Sequence, residues 1–327
     1  MTEPLLQVRD LSITYPLRRG PLDILTGKPG RLEAVIGATF SLQSGQTLAI
    51  VGESGSGKSS LGRAILGLEA VAGGEVRFRG KPIGPSNRAT LRREAAMVFQ
   101  DPVSSLSPRR SVGQLIAEPF RIHGLTDRDL KAEVQRLLAM VGLPASMAER
   151  YPHQISGGQA RRVGLARAVA LDPKLVVADE PTAGLDVSVQ AEVLNLMRRL
   201  QDQNSMAMVL ITHNISLIRH VSDRIAVAYL GRIVEEGPVE ALLSAPAHPY
   251  TAALIAAQPH PDPDRRRTAP PILGETPSLL ARPTGCEFRS RCPMAMDICA
   301  SQPPLSRGDG AGRVVRCHLT TDQEATT

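Results

Sequence analysis

The segment that most constrains this chain is an eight-residue loop, Gly52-Glu53-Ser54-Gly55-Ser56-Gly57-Lys58-Ser59. It joins an apolar run, Thr47 to Val51, to a segment with helical spacing that begins near Lys58. The loop matches the pattern G-x-x-x-x-G-K-[ST], in the strand-then-helix setting that this phosphate-binding motif requires. Glycines let successive backbone N–H groups face one concavity, and the N-terminus of the following helix adds positive potential. The loop therefore predicts a site for a nucleoside triphosphate.

The residue types in this loop suit different parts of the nucleotide. Lys58 is expected to reach the β- and γ-phosphates, and the hydroxyl of Ser59 is expected to bind Mg²⁺. The other loop residues that we expect around the nucleotide are Gly52, Ser54, Gly55, Gly57 and the adjacent Ser60.

A second segment supplies the acids that a phosphate-binding loop needs for hydrolysis. Residues 174–180 read as a buried strand that ends in Asp179 and Glu180. Asp179 would hold Mg²⁺, directly or through water, whereas Glu180 can orient and deprotonate the attacking water. Together with the loop, this segment predicts transfer of a phosphoryl group from the nucleotide to water rather than nucleotide binding alone.

Strand-like and helix-like segments alternate along most of the chain. Alternating or continuous apolar residues predict strands at 5–15, 34–42, 47–51, 75–78, 96–100, 175–179, 206–212 and 224–230. Three- and four-residue spacing predicts helices at 58–68, 111–123, 127–141, 160–171, 187–201 and about 250–257. Residues 16–32, rich in Gly, Pro and Arg, predict a loop insertion. The pattern predicts an α/β fold with a largely parallel, helix-covered sheet and an inserted helical subdomain.

Composition narrows the class of protein. Of 327 residues, 42% are hydrophobic and 21% are charged, which is ordinary for a globular protein. No apolar run approaches the roughly 18 residues of a membrane span, and the first residues lack the pattern of a secretory signal, so we expect a cytosolic protein. The net charge of +6 suits nucleic acid, nucleotide or an anionic membrane surface equally. The basic run Arg265 to Arg267 has no aromatic neighbours for base stacking, so we expect no nucleic-acid partner.

Further motifs follow in the order and spacing of an ATP-binding cassette (ABC) ATPase. Ile155-Ser156-Gly157-Gly158-Gln159 resembles the LSGGQ signature of that family. The remaining matches are Tyr15 for the aromatic residue that stacks on adenine, Gln100 for the Q-loop, Gly184-Leu185-Asp186 for the D-loop and His213 for the switch histidine. Residues 5–245 are therefore similar to one complete cassette.

This resemblance implies a fold and a set of roles. The fold would be a P-loop NTPase domain over residues 1–245, with a RecA-like parallel-sheet core, an antiparallel β subdomain and a helical subdomain at about 101–170. The implied catalytic residues are Lys58, Gln100, Glu180 and His213. Those implied to bind Mg²⁺ are Ser59, Gln100 and Asp179. The signature residues Ser156, Gly157, Gly158 and Gln159, together with Asp186, would contact a nucleotide held by a second cassette, so that one chain carries half of each of two sites.

The C-terminal part resembles the extension of peptide and nickel importer ATPases. Residues 247–254 are similar to their HPYT segment, followed by Gly285-Cys286-Glu287-Phe288 and Arg291-Cys292-Pro293. Residues 246–327 would then be this extension. The resemblance implies an ATPase subunit that energises di- and oligopeptide import at the cytoplasmic face of the membrane. Its partners would be two permease subunits, a second ATPase (a sibling or a second copy) and an extracytoplasmic substrate-binding protein.

Other functions remain open at this point. A nickel or other small-solute importer shares the same tail, and an exporter shares the cassette. A cassette that acts on ribosomes or DNA usually has two cassettes or a long coiled coil, whereas this sequence shows one P-loop and no sustained heptads. A regulatory cassette without activity is disfavoured by Glu180 and His213.

All four cysteines lie near the C-terminus, at Cys286, Cys292, Cys299 and Cys317. A reducing cytosol disfavours disulfides, so a thiolate-bound metal is the better account of this clustering. Their intervals match neither the paired cysteines of common zinc ribbons nor the compact ferredoxin run. The family resemblance implies a [4Fe–4S] cluster, with zinc and free thiols as alternatives. A metal here would be structural, because the proline-rich tail has few apolar residues.

Overall fold

The structure is a computed structural model that describes residues 3–17, 30–101, 105–258, 272, 274–310 and 312–320. The described strands are β1 Leu6–Pro16, β2 Arg31–Leu42, β3 Thr47–Val51, β4 Gly73–Phe78, β5 Lys81–Pro82, β6 Ala95–Val98, β7 Leu175–Asp179, β8 Ala207–Thr212, β9 Arg224–Tyr229, β10 Arg232–Pro238, β11 Ser306–Gly308 and β12 Val314–Arg316. The described helices are α1 Lys58–Ile65, α2 Arg88–Glu94, α3 Val112–Ile122, α4 Leu130–Met140, α5 Gly157–Val169, α6 Val187–Asn204, α7 Ile215–Ile218, α8 Val239–Ser244, α9 Pro249–Ala256 and α10 Ile298–Ser301. Most of the predicted loop insertion, and the basic run Arg265 to Arg267, lie outside the described residues.

The chain divides into two compact units. The first unit comprises Met1–Leu5, Leu42–Thr47 and Phe78–Ile211. Its strands β6, β7 and β8 are parallel neighbours in that order. Strand β7 is buried along its whole length, which explains its uninterrupted apolar sequence. The carboxyl end of this strand therefore delivers its last residues to one edge of the sheet.

Helices form the other part of the first unit. Helix α3 begins with a capping box, in which the Ser111 side chain accepts from the Gln114 N–H and the Gln114 side chain accepts from the Ser111 N–H. Its apolar face, which includes Leu115 and Phe120, is buried, and the helix packs against α4 and α5. The predicted helical segments at 111–123 and 127–141 are thus confirmed as α3 and α4.

The second unit comprises Leu6–Ser41, Leu48–Arg77 and Thr212–Thr327. One group of its strands has the order β2-β1-β4, and another has the order β11-β12-β10-β9-β3. Strand β3 is parallel to β9, whereas β10 is antiparallel to both β9 and β12. Strands from the start, the middle and the end of the sequence are therefore built into this one unit.

The core of the second unit includes residues of the C-terminal part. The rings of Tyr229, Tyr250 and Phe288 are buried and lie 4.7 to 5.3 Å apart, centroid to centroid. Such tilted and edge-to-face arrangements are the favoured geometry for aromatic pairs. The tail thus packs against β9, the strand that ends in Tyr229. Tyr250 belongs to helix α9, which confirms the helix predicted at about 250–257.

Most predicted elements are confirmed, and the differences have local causes. Strands β3 and β7 have the predicted bounds, and the α/β class is confirmed. Helix α5 begins at Gly157 rather than at residue 160, because the Ser156 side chain caps the helix there. Strands β11 and β12 were not predicted, since three residues are too few to show alternation. Within the described ranges, no helix has both the length and the apolar character needed to cross a bilayer.

Candidate nucleotide-binding site

The loop between β3 and α1 has a backbone that only glycine can adopt. Gly52 and Gly57 have φ values of 154° and 91°. A Cβ atom on Gly52 would lie 2.1 Å from the carbonyl oxygen of Ala228, and one on Gly57 would lie 2.2 Å from that of Ala34. Glycine is therefore required at both positions by the close approach of neighbouring backbone as well as by the turn. Helix α1 begins at Lys58, so the last two residues of the motif form its start.

The side chain of Lys58 lies within this loop. The residue is only 6% exposed, and its Nζ donates to the carbonyl oxygens of Gly52 and Glu53, each at 2.8 Å. It also lies 3.4 Å from the hydroxyl of Ser56. These two carbonyl oxygens are neutral acceptors, which phosphate oxygens can outcompete because they are charged. Ser59, the predicted Mg²⁺ ligand, follows in the first turn of α1.

Two further predicted site residues belong to the same unit as the loop. Tyr15, at the end of β1, donates its hydroxyl hydrogen to the hydroxyl of Ser60 on α1 at 2.9 Å. The side chain of Tyr15 is therefore held beside the helix that follows the loop. His213 is exposed and comes directly after the last residue of β8, as the sequence predicts.

The first unit holds the predicted acids and the Q-loop glutamine. Asp179 is the last residue of β7 and is 5% exposed. At Glu180 the backbone turns into the left-handed region, with φ of 45°, and its N–H donates to the carbonyl oxygen of Ile211 at 2.8 Å. The amide Nε2 of Gln100 donates to the Glu180 carboxylate at 3.3 Å, so the structure brings these two predicted residues together.

The signature segment forms the exposed N-terminus of helix α5 in the first unit. The Ser156 side chain accepts from the Gln159 N–H at 3.2 Å, and the Gln159 side chain accepts from the Ser156 N–H at 3.0 Å. Apart from its chain neighbours and its own helix backbone, no atom of the described residues lies within 4 Å of a Cβ built on Gly157. An exposed helix N-terminus with glycine amides has the partial positive charge that an anion requires. Asp186 caps the next helix, α6, by accepting from the Val189 N–H at 3.0 Å.

The four tail cysteines form no disulfide bond in the described part of the chain. The Cys286 N–H donates to the carbonyl oxygen of Cys299 at 2.8 Å. Burial, with smaller contributions from the neighbouring Cys299, Glu287 and Cys317, raises the pKa of Cys286 to about 11. Among the described residues, however, no group of three or more His, Cys, Asp or Glu side chains is arranged to hold a metal ion. The predicted [4Fe–4S] cluster on Cys286, Cys292, Cys299 and Cys317 is therefore not supported.

Sequence reasoning missed the contacts of Glu53, the second residue of the loop. Its carboxylate accepts two hydrogen bonds from the guanidinium of Arg291, and its N–H donates to the hydroxyl of Tyr250 at 3.0 Å. Burial alone would raise the pKa of Glu53, but the hydrogen bonds from Arg291 and Thr276 lower it. The sequence marks Arg291 only as part of a tail motif, and nothing in it connects that motif to the loop.

Comparison with known families agrees with this arrangement. The family model described as "ABC transporter" matches residues 35–183, and the model described as "Oligopeptide/dipeptide transporter, C-terminal region" matches residues 234–299. The ATP-binding cassette MJ0796, solved as a dimer in a post-hydrolysis state bound to ADP and Pi, has a TM-score of 0.62 at 24% identity. That match covers 72% of this chain and 98% of the other, which shows the ABC ATPase fold.

Relatives of nearly full length have been named for peptide transport. The probable peptide ABC transporter ATP-binding protein y4tS of Sinorhizobium fredii is 45% identical over 98% of this chain and 91% of its own length. The oligopeptide transport ATP-binding protein AppF of Bacillus subtilis is 42% identical over 97% of this chain and 98% of its own length. This chain belongs to the family of ATP-binding proteins of oligopeptide and dipeptide ABC transporters.

Proposed function

We propose that this chain is the ATP-hydrolysing subunit that energises import of di- and oligopeptides. The observation that carries the proposal is the loop at 52–59, where glycines that exclude any Cβ place Lys58 among backbone carbonyls at the start of a helix. This is the arrangement expected of a triphosphate site. The peptide substrate is proposed because the curated relatives described above carry peptide-transport names.

We assign the steps of hydrolysis to the residues that the motifs identify. Lys58 binds the β- and γ-phosphates, and Tyr15 contacts the adenine. Glu180 takes the proton of the attacking water, while Gln100, which already donates to its carboxylate, orients that water. His213 contacts the γ-phosphate. The loop residues proposed to contact the nucleotide are Gly52, Ser54, Gly55, Gly57, Ser59 and Ser60.

Magnesium belongs to the same proposed site. Ser59, Gln100 and Asp179 offer a hydroxyl, an amide and a carboxylate oxygen, which are the donors that Mg²⁺ prefers. When bound, Mg²⁺ neutralises charge that develops on the phosphate oxygens. The position of Asp179 supports this role, because it is the last residue of β7 and lies at the carboxyl edge of the sheet.

The signature segment supports a dimer of cassettes. Ser156, Gly157 and Gly158 lie at an exposed helix N-terminus. A chain that worked alone would not need a second segment that binds the γ-phosphate at this position. We propose that these residues, with Gln159 and Asp186, complete the site of a second ATPase subunit, which is either a sibling or another copy. ATP binding then closes the pair, and hydrolysis allows it to reopen.

A cavity in the first unit supports a membrane-embedded partner. It has a volume of about 290 Å³ and is lined by Phe99, Pro119, Ile122 and His123, among others. Phe99 and Ile122 are 49% and 70% exposed, which is unusual for apolar side chains of this size. We propose that a permease subunit docks here, at the cytoplasmic face of the membrane. Two permease subunits and an extracytoplasmic substrate-binding protein would complete the transporter.

We propose that residues 1–245 form the ATPase domain, with a helical subdomain at about 101–170, and that residues 246–327 form the extension. We also propose that the extension's four cysteines bind a metal, as an iron–sulfur cluster or, alternatively, as zinc. The clustering of all four cysteines near the C-terminus supports this, as does the backbone hydrogen bond from Cys286 to Cys299 at 2.8 Å. No step of hydrolysis passes through this group.

Replacement of Glu180 by glutamine tests the proposed activity. The Glu180→Gln variant should bind MgATP with the affinity of the wild type but hydrolyse it at least about 100-fold more slowly, since general-base catalysis contributes about 10² to 10⁴. Glu192→Gln is the matched control, because Glu192 is an exposed glutamate of the same unit that pairs with Arg162. Turnover is measured by phosphate release. A Glu180→Gln rate close to that of the control variant would contradict the assignment of the base.

A further inference from the structure

One residue of the phosphate-binding loop is held by the C-terminal part of the chain. Nη1 and Nη2 of Arg291 donate to the two carboxylate oxygens of Glu53 at 2.8 and 3.0 Å. The hydroxyl of Tyr250 accepts from the Glu53 N–H at 3.0 Å. Both the side chain and the backbone of Glu53 therefore have partners that lie about 200 or more residues further along the sequence.

The groups that hold Glu53 are themselves fixed. Arg291 is 6% exposed, and its Nη1 also lies 3.2 Å from the hydroxyl of Thr276. Its guanidinium carbon is 5.8 Å from the centre of the Tyr229 ring. A planar guanidinium with several contacts of this kind has one orientation, which a bidentate pair with a carboxylate requires. Burial of this arginine is tolerated because its charge is paired.

The same residue also contacts the proposed phosphate-binding lysine. The carbonyl oxygen of Glu53 accepts a hydrogen bond from Nζ of Lys58 at 2.8 Å. Glu53 thus bonds Arg291 through its carboxylate, Tyr250 through its N–H and Lys58 through its carbonyl group. A shift of Arg291 would move the loop atoms that position Lys58. The amides of the loop, which must converge on phosphate oxygens, would move with it.

We propose that Arg291 is a positioning residue of the nucleotide site, and that it couples ATP binding at the loop to the order of the cysteine-bearing segment 284–292. This inference rests on the proposed function of the loop. Because such coupling is reciprocal, nucleotide must stabilise the segment to the same extent that the segment improves nucleotide affinity. Arg291 stands directly before Cys292, so an event that displaces Arg291 acts directly on Glu53 of the loop.

The experiment measures MgATP affinity and backbone hydrogen exchange in the full-length protein. Arg291→Met should raise the Kd for MgATP about 5- to 50-fold, within the usual range of coupling between sites. Arg291→Lys keeps the charge without the paired geometry and should have a smaller effect. Arg289→Met is the matched control. Within the described part of the chain, Arg289 donates to the carbonyl oxygens of Thr284 and Ala300 and not to the loop, so its loss should change the Kd less than about twofold.

Two further measurements separate positioning from general stabilisation. Glu53→Gln combined with Arg291→Met should bind MgATP no more weakly than the weaker single variant, because both changes remove the same contact. MgATP should slow hydrogen exchange at residues 284–292 in the wild type and in Arg289→Met, but not in Arg291→Met. If Arg291→Met fails to fold, Arg291→Lys and Glu53→Gln carry the same comparison.

The possible results have different meanings. If the wild type does not bind MgATP, the proposed function of the loop is wrong, and the inference falls with it. If the wild type binds but Arg291→Met binds equally tightly, the function stands and the positioning role is overturned. Equal protection of residues 284–292 by MgATP in the wild type and in Arg291→Met would likewise overturn the coupling. A selective loss in Arg291→Met, absent in Arg289→Met, supports it.

Discussion

Replacement of Glu236 by glutamine should stabilise this protein at pH 8 and change it little at pH 5. Glu236 lies on β10 and is 4% exposed, and its carboxylate accepts from Nη2 of Arg224 at 2.7 Å. Burial raises the pKa of Glu236 from its ordinary value of 4.5 to about 7, because the loss of water outweighs the attraction of Arg224. The carboxylate form is therefore disfavoured in the folded protein.

The sign and size of the effect follow from this pKa. As pH rises from 4.5 to about 7, the unfolded chain releases the Glu236 proton while the folded chain keeps it, so stability falls through this window. Each pH unit between the two values corresponds to about 1.4 kcal/mol. The loss is about 3 kcal/mol in full, and about 2 to 3 kcal/mol of it falls between pH 5 and pH 8. Glutamine has the shape of the protonated acid and no charge, so it avoids this loss.

Urea denaturation followed by circular dichroism measures the free energy of unfolding at both pH values. Glu240→Gln is the matched control, because Glu240 is exposed and its hydrogen bond with Arg219 lowers its pKa. That variant should gain nothing at pH 8. Loss of stability in Glu236→Gln at pH 8 would show that the pair with Arg224 outweighs burial, and would refute the reasoning.

Two other predictions concern the loop and the tail. Gly57→Ala should abolish MgATP binding measurable by calorimetry, since its Cβ would lie 2.2 Å from the Ala34 carbonyl oxygen. Gly55→Ala should lose less affinity, because no described atom beyond its chain neighbours lies within 4 Å of the added Cβ. Equal losses of affinity in the two variants would contradict the steric account. Protein purified without oxygen should contain about four iron atoms per chain and absorb broadly in the visible range if the tail cysteines hold a cluster. One zinc per chain would favour the zinc alternative. The absence of both metals would show that the thiols are free.

Local patterns in the sequence predicted the loop and the strands around it well. The phosphate-binding loop at 52–59 depends on the spacing of its glycines and on one helix N-terminus, and both are determined by residues close in the sequence. Strands β3 and β7 are fully buried, so their continuous apolar runs mark their bounds directly. Gln100 was identified as a site residue only through the family resemblance, and its contact with Glu180 was not predicted.

Contacts between distant segments could not be predicted in this way. The pair between Glu53 and Arg291 spans 238 residues, and no periodicity connects two positions so far apart. Strands β11 and β12 have three residues each, and their pairing with β10 depends on tertiary structure rather than on intrinsic preference. The start of α5 moved by three residues because a side-chain cap at Ser156 outweighs the low helical preference of two glycines.

The long separation between Glu53 and Arg291 has a consequence for biosynthesis. A ribosome adds about 5 to 20 residues per second, so the loop leaves it roughly 10 to 50 seconds before its arginine partner is made. During that interval the nascent chain contains the whole loop but not the groups that hold Glu53. Full affinity for nucleotide would therefore be reached only when the end of the chain has been synthesised and packed. A truncated translation product would carry an intact phosphate-binding motif with a weakened hold on ATP.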